Sequence, residues 1–456
     1  MKRILWDYIK EKMLESPHST VTEGGASMTF EELCIYAEHF SKRLTGSYYG
    51  IFCQSELAAT MGLLACFAAG KPAIPMPTRY GEETYRKILD EADPPYVITD
   101  IAGELCALYM DPKTQCRFSK TPAVILYTSG STGVPKGAML SGENIIANLE
   151  DIMTYLPLSQ NDTFLISRPI YHSSVLTGEL LVSLCKGTNV VFYSQSFHPA
   201  NIIKLIKEKR VTAMGSTPTM MSSFARLCSK EKISAVKTLT ISGECITEGI
   251  SKQIRNAFPN ADIFCGYGLT EASPRIAYLP SELFDVNPTS AGVVLPSVEV
   301  KILDEKGEEI NDGRVGELLV KGPNVMIGYF RNSGKTRQVL KDGWLKTGDL
   351  ALKGQDGLLY IKGRKDDMII RAGMNVYPAE IENVLSSDSR VEKVLVYGYF
   401  DGTTQQIGMK IKGDFKNKDE VIRLCRDMLP TYQVPSKIEL TDKICDNPSG
   451  KKKRKI

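Results

Sequence analysis

The chain of 456 residues has only four histidines, no Cys-x-x-Cys pair and almost no excess charge. Each shortage removes a class of function. The histidines are too few and too dispersed for a zinc site. The eleven cysteines are scattered. Without paired spacing or a secretory leader, they read as reduced thiols of a cytoplasmic protein. A net charge of +3 gives no basis for a general nucleic-acid surface. No apolar run reaches the roughly 18 residues of a membrane span. The longest candidate, around Leu57 to Ala69, is too short and holds polar positions, so no stable membrane insertion is expected. There is no internal repeat and no low-complexity linker. What remains is globular, at 43% hydrophobic and 24% charged, and too long for one ordinary core, so two or more domains are expected.

Local patterns fill in the architecture. Thr29-Phe30-Glu31-Glu32 has the form of a capping box, followed by Leu33, Ala37, Phe40 and Leu44 at helical spacing. Ser141 has the position of an N-cap before Ile145, Ile146, Leu149, Ile152, Met153 and Leu156 on one face. Short apolar runs, Val190 to Tyr193 and Leu239 to Ile241, read as buried strands. Alternation of this kind over roughly 300 residues predicts an α/β fold with layered, largely parallel sheet. Beyond residue 290 the strands shorten and Gly turns appear, as at Val298 to Leu303 and Gly316 to Lys321, which predicts a small barrel-like β region. A small C-terminal α+β domain is expected from Gly363. The division is therefore 1–362 for the large N-terminal domain and 363–456 for the small one.

The chemistry concentrates first in Tyr127-Thr128-Ser129-Gly130-Ser131-Thr132-Gly133-Val134-Pro135-Lys136-Gly137, which follows the apolar run Ala123 to Leu126. Three glycines, four hydroxyl residues and a lysine share these eleven positions. Glycines let the backbone approach an anion, successive N–H groups form a nest, and hydroxyls add donors. Lys136 supplies a mobile point charge. The spacing is not that of a Walker P-loop, since Pro135 precedes the lysine and Gly137 follows it. The stretch closely resembles the phosphate loop of the adenylate-forming superfamily, which includes acyl-CoA synthetases, the adenylation domains of peptide synthetases and firefly luciferase. Thr128, Ser129, Gly130, Ser131, Thr132, Gly133 and Lys136 would then bind ATP phosphates.

Other segments carry the same resemblance, in order, from roughly Met28 to Lys451. Gly266-Tyr267-Gly268-Leu269-Thr270-Glu271 follows Ile263-Phe264. A hydroxyl and a carboxylate beside a Gly turn suit a phosphate and its Mg²⁺, a hard ion that takes oxygen ligands. The resemblance implies that Thr270 meets the α-phosphate, that Glu271 helps hold Mg²⁺ and that Tyr267 lies near adenine. Gly343-Trp344-Leu345-Lys346-Thr347-Gly348-Asp349-Leu350 implies that Asp349 accepts from both ribose hydroxyls. Gly363-Arg364-Lys365-Asp366-Asp367-Met368 is similar to the family's interdomain hinge, with Arg364 reaching ribose and Asp366 the pivot. Arg371 to Glu382 continues the likeness; the glycine loop at Gly373 would swing towards the site and border a pantetheine tunnel. Gly316-Glu317-Leu318 through Gly328-Tyr329, and Leu429 to Pro435, also match and look structural.

The basic run Lys451 to Lys455 alone would read as a solvated tail or a localisation patch. Within Asn447-Pro448-Ser449-Gly450-Lys451, with Arg454 three residues on, it resembles the family's closing motif. That makes Lys451 the catalytic lysine, stabilising charge that develops during adenylation. No fused carrier domain is expected beyond it. Arg168-Pro169-Ile170-Tyr171-His172-Ser173-Ser174 occupies the acyl-site position. Amino-acid-activating relatives place an Asp after the aromatic residue, and without it an α-ammonium would be left unpaired. His172 instead suits a carboxylic acid lacking an α-amino group. Gly243 and Glu244 fall on the adenine-side loop, with pairing of Glu244 to a polar substrate group the open alternative. The implied reaction is ATP- and Mg²⁺-dependent activation of a fatty or other non-α-amino acid to acyl-AMP. Transfer to a pantetheine thiol follows, on CoA or, alternatively, on a separate acyl or peptidyl carrier protein that an acid or amino-acid ligase would load.

Overall fold

The computed structural model describes residues 4–78, 82–114, 116–128, 135–228, 232–371, 374–401 and 404–444. Two large sheets build the N-terminal domain. The nine-stranded sheet runs Val293–Val294, Arg275–Leu279, Asp262–Gly268, Thr238–Ser242, Ala213–Ser216, Thr163–Ile166, Asn189–Phe192, Thr20–Glu23 and Ala26–Thr29. Its inner strands, from Asp262–Gly268 to Thr20–Glu23, are parallel, and antiparallel partners close both edges. The seven-stranded sheet runs Gly328–Tyr329, Lys136–Leu140, Val124–Thr128, Ala73–Pro75, Tyr49–Ile51, Tyr96–Ile101 and Glu104–Tyr109. The expectation of layered, largely parallel α/β sheet is met.

Helices form where the caps predict them. Thr29 caps Phe30–Ser41 through a reciprocal bond with Glu32. Ser141 caps Gly142–Tyr155, with Asn144 completing the box. These two helices, Glu56–Ala69 and the segment Ser173–Cys185 bury their apolar faces in one cluster shared by both sheets. Ile51 and Val124 join it from one sheet, Val21 and Phe164 from the other. The opposite face of the nine-stranded sheet is covered by Pro199–Glu208, Pro218–Leu227 and Glu248–Ala257, around Phe224 and Phe258.

Residues 299–364 supply five antiparallel strands where the barrel-like region was expected. The small domain has its own core, from Ile369 to Leu429. It comprises the hairpin Ile369–Arg371/Met374–Val376, the sheet Val391–Phe400, Gln405–Gly413, Lys437–Leu440, and the helices Pro378–Leu385 and Lys418–Met428. It touches the large domain through Lys362–Glu380, an ion pair of 3.0 Å, and where the Ser386 carbonyl approaches Gly249. Among the described residues no helix is long and apolar enough to cross a membrane.

One buried clamp joins helix to sheet. The fully buried Asn148 donates from Nδ2 to the Arg275 carbonyl (2.8 Å), and its Oδ1 accepts from the Arg275 N–H (3.0 Å). Asn324 Nδ2 donates to the same carbonyl (3.0 Å) and to that of Ala272 (2.9 Å). In Asn148→Leu the carbonyl keeps one donor while the N–H loses its acceptor. An orphaned buried donor costs about 2–3 kcal/mol, and urea unfolding should register that loss. A change below about 1 kcal/mol would show that the clamp does not hold the strand.

Candidate active site

The loop 129–134, with Ser129, Gly130, Ser131, Thr132 and Gly133, lies outside the described residues, as do Gly373 and Lys451. Val124–Thr128 and Lys136–Leu140, which flank the loop, pair antiparallel, with Thr128 opposite Lys136. Gly328–Tyr329 pairs with the second of these, with Tyr329 opposite Ala138. The Lys136 Nζ lies 6.0 Å from the centre of the Tyr329 ring.

From the other sheet, Asp262–Gly268 ends in a short turn, Thr270–Ala272. The Tyr329 hydroxyl donates to Glu271 Oε1 at 2.8 Å, which ties the phosphate-loop stem to the Thr270-Glu271 turn. Burial and the Glu271 carboxylate both push the Tyr329 phenol up, so it remains a donor. Burial and the nearby Lys335 pull the Lys136 ammonium down, while Glu271 and Asp366 act the other way. The Thr270 hydroxyl is 3.1 Å from that of Ser173, next to His172, whose ring lies 4.5 Å from that of Tyr171. His172 is the N-cap of the helical segment that begins at Ser173.

A third element comes from the hairpin Trp344–Lys353/Leu359–Arg364, which sets Asp349 directly opposite Arg364. Arg364 Nη1 donates to Asp349 Oδ1 and to the Thr347 carbonyl, each at 2.9 Å. The Tyr267 hydroxyl donates to Asp349 Oδ2 at 2.6 Å. Burial first, and then Asp349, raises the Tyr267 phenol far above its ordinary range. Burial pulls the half-exposed Arg364 down, and Asp349 more than offsets that. Gly348 between Thr347 and Asp349 holds φ +72°, and a Cβ there would press on Arg364 Nη2 at 2.9 Å. Any side chain would therefore be strained and crowded. Gly243 and Glu244 follow the strand Thr238–Ser242, beside Asp262–Gly268. Glu244 Oε2 accepts from Thr219 at 2.6 Å.

Of the expected site residues, Thr128, Lys136, Tyr267, Thr270, Glu271, Asp349 and Arg364 thus converge from three sheets onto one mouth, with His172 at its side and Gly243 and Glu244 on the next strand. Tyr329 escaped the sequence reading, which placed it in a structural segment. Its position beside two apolar strands gives no signal of a bond to Glu271.

The chain matches the AMP-binding enzyme family over residues 9–330. It belongs to that family. It is 30% identical to a feruloyl-CoA synthase of Amycolatopsis sp., an alignment that covers 98% of this chain and 96% of that one. It is 34% identical to a long-chain-fatty-acid–CoA ligase of Salmonella typhimurium, over 72% of this chain and 60% of that one. Among solved structures it resembles o-succinylbenzoate CoA synthetase of Bacillus subtilis bound to its acyl-adenylate, with TM-score 0.84 and 26% identity, covering 98% of this chain and 96% of that one. The same Bacillus enzyme is also known with ATP and magnesium ion. The family member described here is an AMP-forming acid–thiol ligase, using ATP and Mg²⁺.

The local chemistry suits that ion. One half-buried carboxylate, Glu271, stands among hydroxyls, and no group of three His, Cys, Asp or Glu assembles among the described residues. Mg²⁺ keeps several ligand places for water and phosphate oxygen, so a single carboxylate is adequate. Tyr329→Phe removes the donor that orients Glu271. Loss of one hydrogen bond worth about 0.7–1.4 kcal/mol predicts a three- to tenfold rise in the Mg²⁺ needed for half-maximal ATP–pyrophosphate exchange. An unchanged Mg²⁺ titration would refute this role for Tyr329.

Proposed function

We propose that the enzyme adenylates a carboxylic acid without an α-amino group and passes the acyl group to CoA, with the residues above in the roles their motifs imply. The observation that carries this reading is the joining of Lys136, Tyr329 and Glu271 on one side of the mouth and Tyr267, Asp349 and Arg364 on the other. In the first step a carboxylate oxygen bonds to the ATP α-phosphorus and the bond to the pyrophosphate oxygen breaks. In the second a thiol sulfur bonds to the acyl carbon, AMP leaves and the thiol proton is lost to solvent.

Little covalent chemistry falls to the protein, so positioning and charge neutralisation dominate. Asp349 and Arg364 would hold the ribose, with Tyr267 alongside. Lys136 and the stem at Thr128 would face the phosphates, and Thr270 the α-phosphate. Glu271 would hold Mg²⁺, which when bound offsets phosphate charge. His172 would face the acid, where its imidazole offers a donor to a carboxylate but, unlike an Asp, no negative charge to pair with an ammonium. The long match to a CoA synthase supports CoA over a carrier's pantetheine arm as acceptor. Comparing thioester yield on CoA with yield on a phosphopantetheinylated carrier tests that choice.

We place the domain boundary at Gly363, which holds φ +145°, a conformation open to glycine. The exposed turn Lys365–Asp367 follows directly. Rotation there would bring Lys451 to the mouth for the first step and withdraw it for the second. Lys451→Ala should cut pyrophosphate exchange ~10²–10³-fold, comparable with loss of one transition-state donor. Thioester formation from supplied acyl-AMP should fall less than tenfold, a bound set well under that loss. Equal losses in both half-reactions would refute the assignment.

A further inference from the structure

Three ionisable side chains lie buried below this mouth and take no part in the steps above. Arg168 is 9% exposed, Glu179 2% and Arg275 5%. Arg168 Nη2 donates to Glu179 Oε1 and, at 3.5 Å, reaches the Ser242 hydroxyl. Arg275 pairs with no carboxylate at ion-pair distance among the described residues, and its Nε has no hydrogen-bond partner. Arg168 Nε and Glu179 Oε2 are likewise unsatisfied.

Room for these groups is made by glycines. A Cβ on Gly266 would collide with the Arg275 guanidinium, and one on Gly215 with the Glu179 carboxylate. Arg275 Nη2 stands 3.2 Å from the place a Gly178 Cβ would take. Gly178 and Glu179 lie in Leu176–Leu181, a π-helical turn inside the segment Ser173–Cys185. Such turns are rare and cluster at functional sites. The three side chains therefore fill the seam between this turn and the strands Ala213–Ser216, Thr238–Ser242 and Asp262–Gly268. The first two of those strands lead on to Thr217 and Gly243, and the third contains Tyr267. His172 caps, and Ser173, which meets Thr270, begins the helical segment that carries the π-helical turn.

Two guanidiniums face one carboxylate in this seam. Burial pushes the Glu179 carboxyl up against the pull of Arg168 and Arg275, which weakens its power to cancel them. A buried cation without a full partner is costly, and a buried polar atom without one calls for an explanation. An anion arriving with the substrate would supply both.

We propose that the seam is the floor of the acid pocket and that Arg275 receives a second carboxylate of the substrate, so that the enzyme selects dicarboxylic acids. One carboxylate would react at the mouth beside His172 while the other is held below by Arg275. Arg168 and Glu179 act as positioning residues, fixing the seam's shape through their own pair. The inference rests on the ligase reading.

The test uses the full-length enzyme and ATP–pyrophosphate exchange. Probes are succinate, glutarate, adipate and phthalate, each against its monomethyl ester and the corresponding ω-hydroxy or monocarboxylic acid. The expected result is a kcat/KM at least about 30-fold higher for the best dicarboxylate than for its ester, as for one buried charge-assisted contact. In Arg275→Met that ratio should collapse to about one or below, and Arg275→Lys should restore part of it. Matched thermal midpoints would show that the variants fold. Should Arg275→Met fail to fold, the wild-type ratio alone decides. Esters, hydroxy acids or monocarboxylates used as well as the dicarboxylate would overturn the inference and leave the ligase reading standing. So would an equal loss on both members of a pair in Arg275→Met. No exchange with any acid would instead overturn the ligase reading, and the inference with it.

Discussion

The grip of two buried amides on the main chain of Arg275 sets the frame for everything at the site. Asn148 satisfies both backbone groups of that residue, and Asn324 shares its carbonyl. The strand they fix pairs with Asp262–Gly268, whose C-terminal end carries Tyr267 and leads into Thr270 and Glu271. A backbone held by three buried hydrogen bonds has nowhere to slide. The positions of Tyr267, Thr270 and Glu271 are therefore set by packing against the helix Gly142–Tyr155. This is the arrangement that catalysis by positioning needs, because donors that must reorganise at the moment of reaction lose most of their worth.

Charges of both signs meet on the same frame. Arg364 is set against Asp349, and Lys136 feels both Glu271 and Asp366. Two of these groups, Arg364 and Asp366, lie at the junction with the small domain, while Lys136 and Glu271 belong to the large one. Rotation about this junction would consequently change the field at Lys136 as well as the identity of the residues facing the mouth. The junction carries charge of both signs towards Lys136, since Arg364 pulls its ammonium down while Asp366 pushes it up.

Legibility in the sequence followed the scale of the interaction. Thr29-Phe30-Glu31-Glu32 revealed its helix because a capping box is satisfied within four residues, and it formed as read. Asp349 and Arg364 were read from two separate motifs, and their pairing across one hairpin emerged only from the structure. Tyr329 was not, because its bond to Glu271 spans two sheets and depends on an edge strand of two residues. Arg168, Glu179 and Arg275 were invisible as a group. A charged residue in an apolar run looks like an exposed face until the glycines opposite it are known. The local trace was a glycine at Gly215 in a fully buried strand and another at Gly266, two strands away across Thr238–Ser242, where a glycine weakens a strand and asks for a reason.

That last point separates the two halves of the site physically. The groups proposed for the nucleotide sit on strands, Thr128, Lys136, Tyr267 and Arg364 at or near strand ends and Asp349 within one, and on the turn that carries Thr270 and Glu271. The seam proposed for the acid is bounded by side chains on the strands themselves and on an irregular helical turn. Gly266 illustrates the separation: its backbone leads into Tyr267, while the space where a side chain would stand belongs to Arg275. A charged floor can therefore be built under an ordinary adenylating mouth at no cost to the mouth's geometry, provided the space is vacated on the strand. It is the pairing of buried charge with strand glycines that give it room, more than either alone, that sets this seam apart from an ordinary apolar core.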